Sequence, residues 1–242
     1  MNLIIDVGNT YVKLAVFEND NIIRNYNVKD ENLLNTIKLI KDERYEIDKV
    51  IISSVGNLDE SILNYIKKYF VTLILNEQTK LPFKNLYATP TTLGKDRIAL
   101  VSAAGEQYSK SNVLIIDAGT CITYDFINSQ NEYLGGSISP GIRTRYKSLN
   151  NLTANLPLLD TEIPNNFIGN STKSSIHSGV IHGIIHEIEG VVKEYQKKYS
   201  DLTIILTGGD ANFLSKQLKS SIFANSNFLL MGLNYILQFN SK

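Results

Sequence analysis

The chain has 242 residues, 43% of them hydrophobic and 20% charged, which is enough apolar material for two compact domains and too much for long disorder. Its 24 lysines and arginines balance 24 aspartates and glutamates, which excludes a broad basic field for nucleic acid or an anionic membrane and favours small-molecule chemistry. The single cysteine, Cys121, excludes an internal disulfide; with no basic leader before Asp6 and no apolar run of bilayer length, the expected location is the cytoplasm.

Leu3 to Ile5 form a short aliphatic strand that runs into the turn Asp6-Val7-Gly8-Asn9-Thr10 and resumes over Val12 to Phe17. Gly8 would let backbone N–H groups approach phosphate oxygens, with Asn9 and Thr10 adding donors. Asp6 could hold magnesium, and Lys13 on the returning strand would offset phosphate charge. The same residues also suit an ordinary hairpin turn. Glu31 to Lys41 carries Leu33, Leu34, Ile37 and Ile40 on one helical face. Val50 to Ser54 reads as a strand entering the small-residue turn Val55-Gly56-Asn57, followed by a helix over Glu60 to Tyr69.

Gly94-Lys95-Asp96-Arg97 stands near the start of an alanine-rich helix expected within Thr92 to Tyr108, which crosses between the lobes. Asp96 could accept a proton from an attacking hydroxyl, while Arg97 or the helix N–H groups could hold a carboxylate. The plainer alternative is a capping aspartate beside an exposed arginine. Lys95 is expected to face solvent. The expected domains are 1–108 and 109–242.

Leu114-Ile115-Ile116-Asp117-Ala118-Gly119-Thr120-Cys121 repeats the opening pattern, placing Asp117, Gly119 and Thr120 at a second phosphate-facing tip. Thr123 and Asp125 follow on the strand Ile122 to Ile127, with Asp125 expected to be solvated and Cys121 to be a small buried side chain. Ser174 to Tyr199 has Ile176, Val180, Ile184, Ile188 and Val192 at four-residue intervals, a long half-buried helix. His182 and His186 share a face but lack the glutamate of a metalloprotease motif, so no zinc site is expected, and His177 is expected at the surface or at an interface. Thr203 to Asp210 echoes Val50 to Asn57; its Gly208 and Gly209 could pass beneath a nucleotide base or ribose, or serve packing alone. Helices are expected over Asn212 to Lys219 and over Leu229 to Phe239, the last closing the second lobe. The doubled pattern predicts two similar α/β lobes whose hairpin tips grip a polyphosphate across a cleft.

Taken in order, Asp6-Val7-Gly8-Asn9-Thr10 with Lys13, Gly94-Lys95-Asp96-Arg97, Asp117-Ala118-Gly119-Thr120, and Tyr133-Leu134-Gly135-Gly136 with Pro140-Gly141 are followed by Thr153-Ala154-Asn155-Leu156-Pro157, Gly169-Asn170-Ser171-Thr172 and Thr207-Gly208-Gly209. In this the chain resembles the type III pantothenate kinases over nearly its whole length. The resemblance implies the α/β fold shared by acetate and sugar kinases, Hsp70 and actin, with two ribonuclease H-like lobes and a nucleotide cleft between them. It implies ATP-dependent phosphorylation of the primary hydroxyl of pantothenate to 4'-phosphopantothenate, the first step of coenzyme A biosynthesis, with Asp96 as proton acceptor. ATP would be bound by Asp6, Gly8, Asn9, Thr10, Lys13, Gly119 and Thr120, with Gly208 and Gly209 on the adenosine side. Pantothenate would be held by Tyr87, Gly94, Lys95, Asp96, Arg97 and Thr172. Magnesium would sit near Asp6 and a monovalent cation, potassium or ammonium, at Asp117. A homodimer with the acceptor pocket near its interface is also implied, with no nucleic-acid or membrane partner.

Three other functions share parts of this pattern. A metal-dependent nuclease using Asp6, Asp117 and Asp125 would need a basic path that the charge balance withholds. A nucleotide-binding regulator would not need Asp96 and Arg97, and a kinase for a sugar or another small hydroxyl compound would differ around the acceptor pocket.

Overall fold

In the computed structural model, which describes residues 1–8, 11–43, 45–54 and 58–241, the chain divides into two compact units: Met1–Ser109 together with Asn227–Lys242, and Lys110–Ser226. The first stretch holds β1 (Asn2–Val7), β2 (Val12–Glu18), β3 (Asn21–Val28), α1 (Leu33–Asp42), β4 (Lys49–Ser54), α2 (Glu60–Tyr69), β5 (Val71–Ile74), the short β6 (Lys84–Asn85) and α3 (Lys95–Gln107). The second unit holds β7 (Val113–Ala118), β8 (Cys121–Ile127), β9 (Glu132–Pro140), α4 (Ile142–Asn151), α5 (Thr172–Lys198), β10 (Thr203–Thr207), α6 (Ala211–Leu214) and β11 (Phe223–Ala224). The last helix, α7 (Phe228–Phe239), returns to the first unit.

The doubled sequence pattern becomes a doubled topology. In the first sheet the order is β3-β2-β1-β4-β5, with β1, β2 and β3 antiparallel and β4 and β5 parallel to β1. In the second unit β9-β8-β7-β10-β11 follows the same scheme, a three-strand antiparallel meander extended by two parallel strands. Parallel strands need crossover helices, so each sheet carries helices on its faces and its aliphatic runs are buried on both sides.

Side-chain alternation sorts the first core. Leu3, Ile5, Val7, Leu14 and Val16 pack with Leu33, Ile37 and Ile40 of α1 and Ile66 of α2. Ile4, Ala15, Phe17 and Ile51 point the other way, onto Ala99 of α3 and Leu230, Leu233, Ile236 and Leu237 of α7. The expectation that the C-terminal helix closes the second lobe is therefore corrected. α7 fits the first unit because Gly232 removes the side chain where it crosses α3, and a Cβ there would lie 1.8 Å from the Ala99 carbonyl oxygen.

In the second unit, Leu114, Ile116, Ile122 and Tyr124 pack with Ile142 and Tyr146 of α4 and with Ile176, Val180, Ile181, Ile184, Ile188 and Val192 of α5. This is the periodic face read from the sequence. A capping box starts α5: Ser171 Oγ accepts from Ser174 N–H, and Ser174 Oγ accepts from Ser171 N–H. The helix expected over Asn212 to Lys219 is shorter, Ala211–Leu214. Among the described residues no helix is long and apolar enough to cross a membrane.

Candidate active site

Asp6 lies at the end of β1, opposite Lys13 on β2 and Ser53 on β4. Burial pushes its carboxyl up to about 6, against the opposing pull of the Lys13 ammonium and a hydrogen bond with Ser53; the Asp96 carboxylate adds to the rise. The fold thus brings Asp6, Lys13 and Asp96 into one electrostatic neighbourhood. Gly8 N–H donates to the Tyr11 carbonyl (3.2 Å), closing the turn. Asn9 and Thr10, and the Val55-Gly56-Asn57 turn, lie outside the described residues.

Gly94 is the N-cap of α3 and Asp96 lies in its first turn. Asp96 Oδ1 accepts from Arg97 N–H (2.8 Å), and a Cβ on Gly94 would come within 2.3 Å of that oxygen. Glycine here lets the carboxylate fold back over the positive end of the helix. Arg97 is only 5% exposed, and its guanidinium stands 5.4 Å from the centre of the Tyr87 ring. The plainer alternative holds for Asp96, which accepts a first-turn N–H of its own helix, but not for the arginine, which is buried and not exposed. Lys95 does not simply face solvent: its Nζ donates to the Ser54 carbonyl (3.0 Å). Beside it lies a cavity of about 430 Å³ that Lys95, Leu75, Leu93 and Ile98 help to line.

Asp117 occupies the equivalent position on β7, opposite Thr123 on β8 and Thr207 on β10. Gly119 N–H donates to the Cys121 carbonyl (2.9 Å), and Thr120 and Cys121 are exposed at the tip, so Cys121 is not the buried residue expected. Gly208 has φ +94°, and a Cβ on it would fall 2.3 Å from the Ala118 carbonyl oxygen and 2.4 Å from Asp117 Oδ1. Its packing role is thereby visible, while Gly209 opens onto free space. The turn is fastened by Asp210 N–H, which donates to the Ala118 carbonyl (2.9 Å).

Two further expectations are corrected. Asp125 is fully buried, and Oδ1 accepts from the Tyr133 hydroxyl (2.6 Å), a structural partnership inside the sheet. His177 is 3% exposed, with Nδ1 2.7 Å from the Tyr146 hydroxyl. Thr172 begins α5 at an open groove of about 720 Å³, where Arg145, Leu149, Leu156, Ile176 and Val180 also contribute.

Several residues that shape the site were not singled out from sequence. Ser53 and Ser54 hold Asp6 and Lys95, and only their place at the end of the β4 strand hinted at them. Thr144 donates to the Thr120 carbonyl from 24 residues away, with no sequence signal.

Magnesium keeps much of its water shell and takes one or two carboxylates plus phosphate oxygens. Asp6, a desolvated carboxylate at the end of β1, is one group that could serve in this way; among the described residues no group of three or more His, Cys, Asp or Glu forms a separate protein cage.

A family model described as type III pantothenate kinase matches residues 2–194. The chain is 53% identical over 240 residues to a type III pantothenate kinase of Christiangramia forsetii, covering 99% of each chain. It is 42% identical to one from Bacteroides fragilis, covering 100% of this chain and 99% of that one. Among solved structures it resembles a glucokinase from an Antarctic psychrotroph and a ROK hexokinase from Thermus thermophilus, each at TM-score 0.56 and 12% identity over 98% of both chains. At that identity the structural likeness shows the fold alone, the two-lobed α/β fold of sugar kinases and actin.

Proposed function

The chain belongs to the type III pantothenate kinase family, and from that premise we propose the roles its residues take in the reaction. The activity is ATP-dependent phosphorylation of pantothenate in coenzyme A biosynthesis, with a divalent metal serving the nucleotide. A non-catalytic regulator is not favoured.

Asp96 takes the proton from the primary hydroxyl of pantothenate as that oxygen attacks the γ-phosphorus. The bond from the γ-phosphorus to the β–γ bridging oxygen breaks, leaving ADP and 4'-phosphopantothenate. Arg97 holds the pantothenate carboxylate, with Tyr87, Gly94, Lys95 and Thr172 completing the acceptor contacts. Asp6, Gly8, Asn9, Thr10 and Lys13 of the first unit bind the ATP phosphates, as do Gly119 and Thr120 of the second, with Gly208 and Gly209 on the adenosine side. Asp6 would hold magnesium, which would supply charge neutralisation on the phosphates, and Asp117 would hold potassium or ammonium. The domain assignment is a first lobe bearing one phosphate hairpin and the acceptor segment, and a second bearing the other hairpin and the glycine turn. The enzyme works in the cytoplasm as a homodimer.

The observation that carries this reading is the α3 N-terminus, where the Asp96 carboxylate lies within electrostatic reach of Asp6 while Arg97 is buried against Tyr87. Turnover of pantothenate with ATP, magnesium and potassium, compared with a panel of sugars and acetate, tests the acceptor. Asp96→Asn should lose about 100-fold or more in kcat, the usual worth of a positioned base, while still binding ATP. Full turnover in that variant removes Asp96 from the base role.

A further inference from the structure

We infer that Thr144 is a positioning residue for nucleotide binding, acting through the carbonyl of Thr120; this rests on the reading that Thr120 contacts the ATP phosphates. The Thr120 oxygen accepts two hydrogen bonds, from Gly141 N–H (3.0 Å) and from Thr144 Oγ1 (2.6 Å). A carbonyl oxygen has two lone pairs, so both are engaged. The peptide plane between Thr120 and Cys121 is thereby held, and with it the direction in which the exposed Thr120 side chain leaves the hairpin tip.

The donors are themselves anchored. Gly141 approaches the tip so closely that a Cβ would stand 1.9 Å from the Gly119 carbonyl oxygen. Arg145, the next residue after Thr144, donates through Nε to the Pro140 carbonyl (2.9 Å) and through a terminal nitrogen to Ser139 Oγ (2.9 Å). The same guanidinium pairs with Glu187 of α5, whose other oxygen accepts from the Tyr124 hydroxyl (2.8 Å). Tyr124 stands on β8, the strand that leaves the tip. Tip, first turn of α4, α5 and β8 therefore form a closed frame around Thr120. Helix formation alone does not account for the Thr144 bond, because its hydroxyl reaches across to another element rather than to its own helix.

Thr144→Val keeps the shape and removes the donor; Thr144→Ser keeps the donor. One hydrogen bond is worth about 1 kcal/mol net, so Thr144→Val is expected to raise the KM for ATP about fivefold. The KM for pantothenate and kcat at saturating ATP should stay within about twofold, and Thr144→Ser should restore the ATP KM, as expected when a single donor is kept. Thr120→Val is measured alongside. If it leaves the ATP KM unchanged, the phosphate role of Thr120 fails; if it raises that KM and Thr144→Val does not, the role of Thr144 fails. Thr144→Ser behaving like Thr144→Val overturns the proposal, as does a fall in turnover with both KM values unchanged, the mark of a smaller folded fraction. Should Thr144→Val not fold, Thr144→Ala carries the same comparison.

Discussion

The ammonium of Lys95 is hydrogen-bonded to the Ser54 carbonyl at 3.0 Å, which ties the first turn of α3 to the end of β4. Ser53, one residue earlier, is hydrogen-bonded to the Asp6 side chain. The start of α3 and the end of β1 are thus moored to two adjacent residues of one strand.

Removing that mooring should loosen the acceptor segment. A hydrogen bond from a charged donor contributes roughly 1.5–3 kcal/mol, so Lys95→Met is expected to lower stability by about the lower figure, given the partial exposure of the group. It should also raise the KM for pantothenate more than that for ATP, and Lys95→Arg should recover part of the loss. Urea denaturation combined with steady-state kinetics checks this; equal shifts in both KM values would count against it.

Asp6 supplies a pH dependence. Its folded pKa is raised from 3.8 to about 6 by burial, so ionising it costs stability. The group favours folding below about 3.8, and that preference is lost progressively as pH climbs through 6. Asp6→Asn should therefore be more stable than the wild type above pH 6, by no more than about 3 kcal/mol, and melt higher, with the gap closing towards pH 4. Magnesium with ATP should stabilise the wild type selectively at the higher pH. Melting curves that run parallel from pH 4 to 8 would contradict the assignment.

At Gly208 both conformation and space demand glycine. Its φ of +94° is costly for any residue with a Cβ, and that Cβ would collide with Ala118 and Asp117. Gly208→Ala should lose about 1–3 kcal/mol of stability and weaken ATP binding. Gly209→Ala meets nothing within 4 Å and should fold normally. Calorimetric titration with ATP of the two variants side by side makes the comparison, and equal effects at both positions would refute it.

Gly232→Val should separate α7 from α3, because the new side chain would start where the Ala99 carbonyl already lies. Overpacking of this kind typically costs 1–3 kcal/mol, and about the upper figure is expected here. A variant melting within a degree or so of the wild type, well below the roughly 2–4 °C per kcal/mol usual for a chain of this size, would show that the helices part freely.

The duplicated hairpins and the echo between β4 and β10 were legible because they depend on local pattern: aliphatic runs broken by an acid and a glycine. The two equivalent sheet orders follow from them. The electrostatic neighbourhood of Asp6 and Asp96 was legible only as chemistry, since nothing in either segment records their mutual approach. Thr144, Ser54 and the Arg145 pairing with Glu187 were invisible, because each joins residues tens of positions apart through side chains of common type. α7 was misassigned because an almost wholly apolar helix fits any uncovered sheet face; the deciding feature, Gly232 against Ala99, is a contact across the unit. Asp125 and His177 were misjudged because burial depends on neighbours, here Tyr133 and Tyr146, that a strand or helix pattern does not reveal.

Because α7 completes the first unit from the far end of the chain, the order of synthesis and the order of assembly differ. A nascent chain that has released residues 1–109 still has Ile4, Phe17 and Ile51 without their final cover, whereas residues 110–226 are contiguous and can settle as soon as they emerge. Maturation of the segment bearing Asp6 and Asp96 therefore waits on a helix made after the whole of the second unit, and a ribosome that stalls before residue 227 leaves the proposed base on an unfinished support.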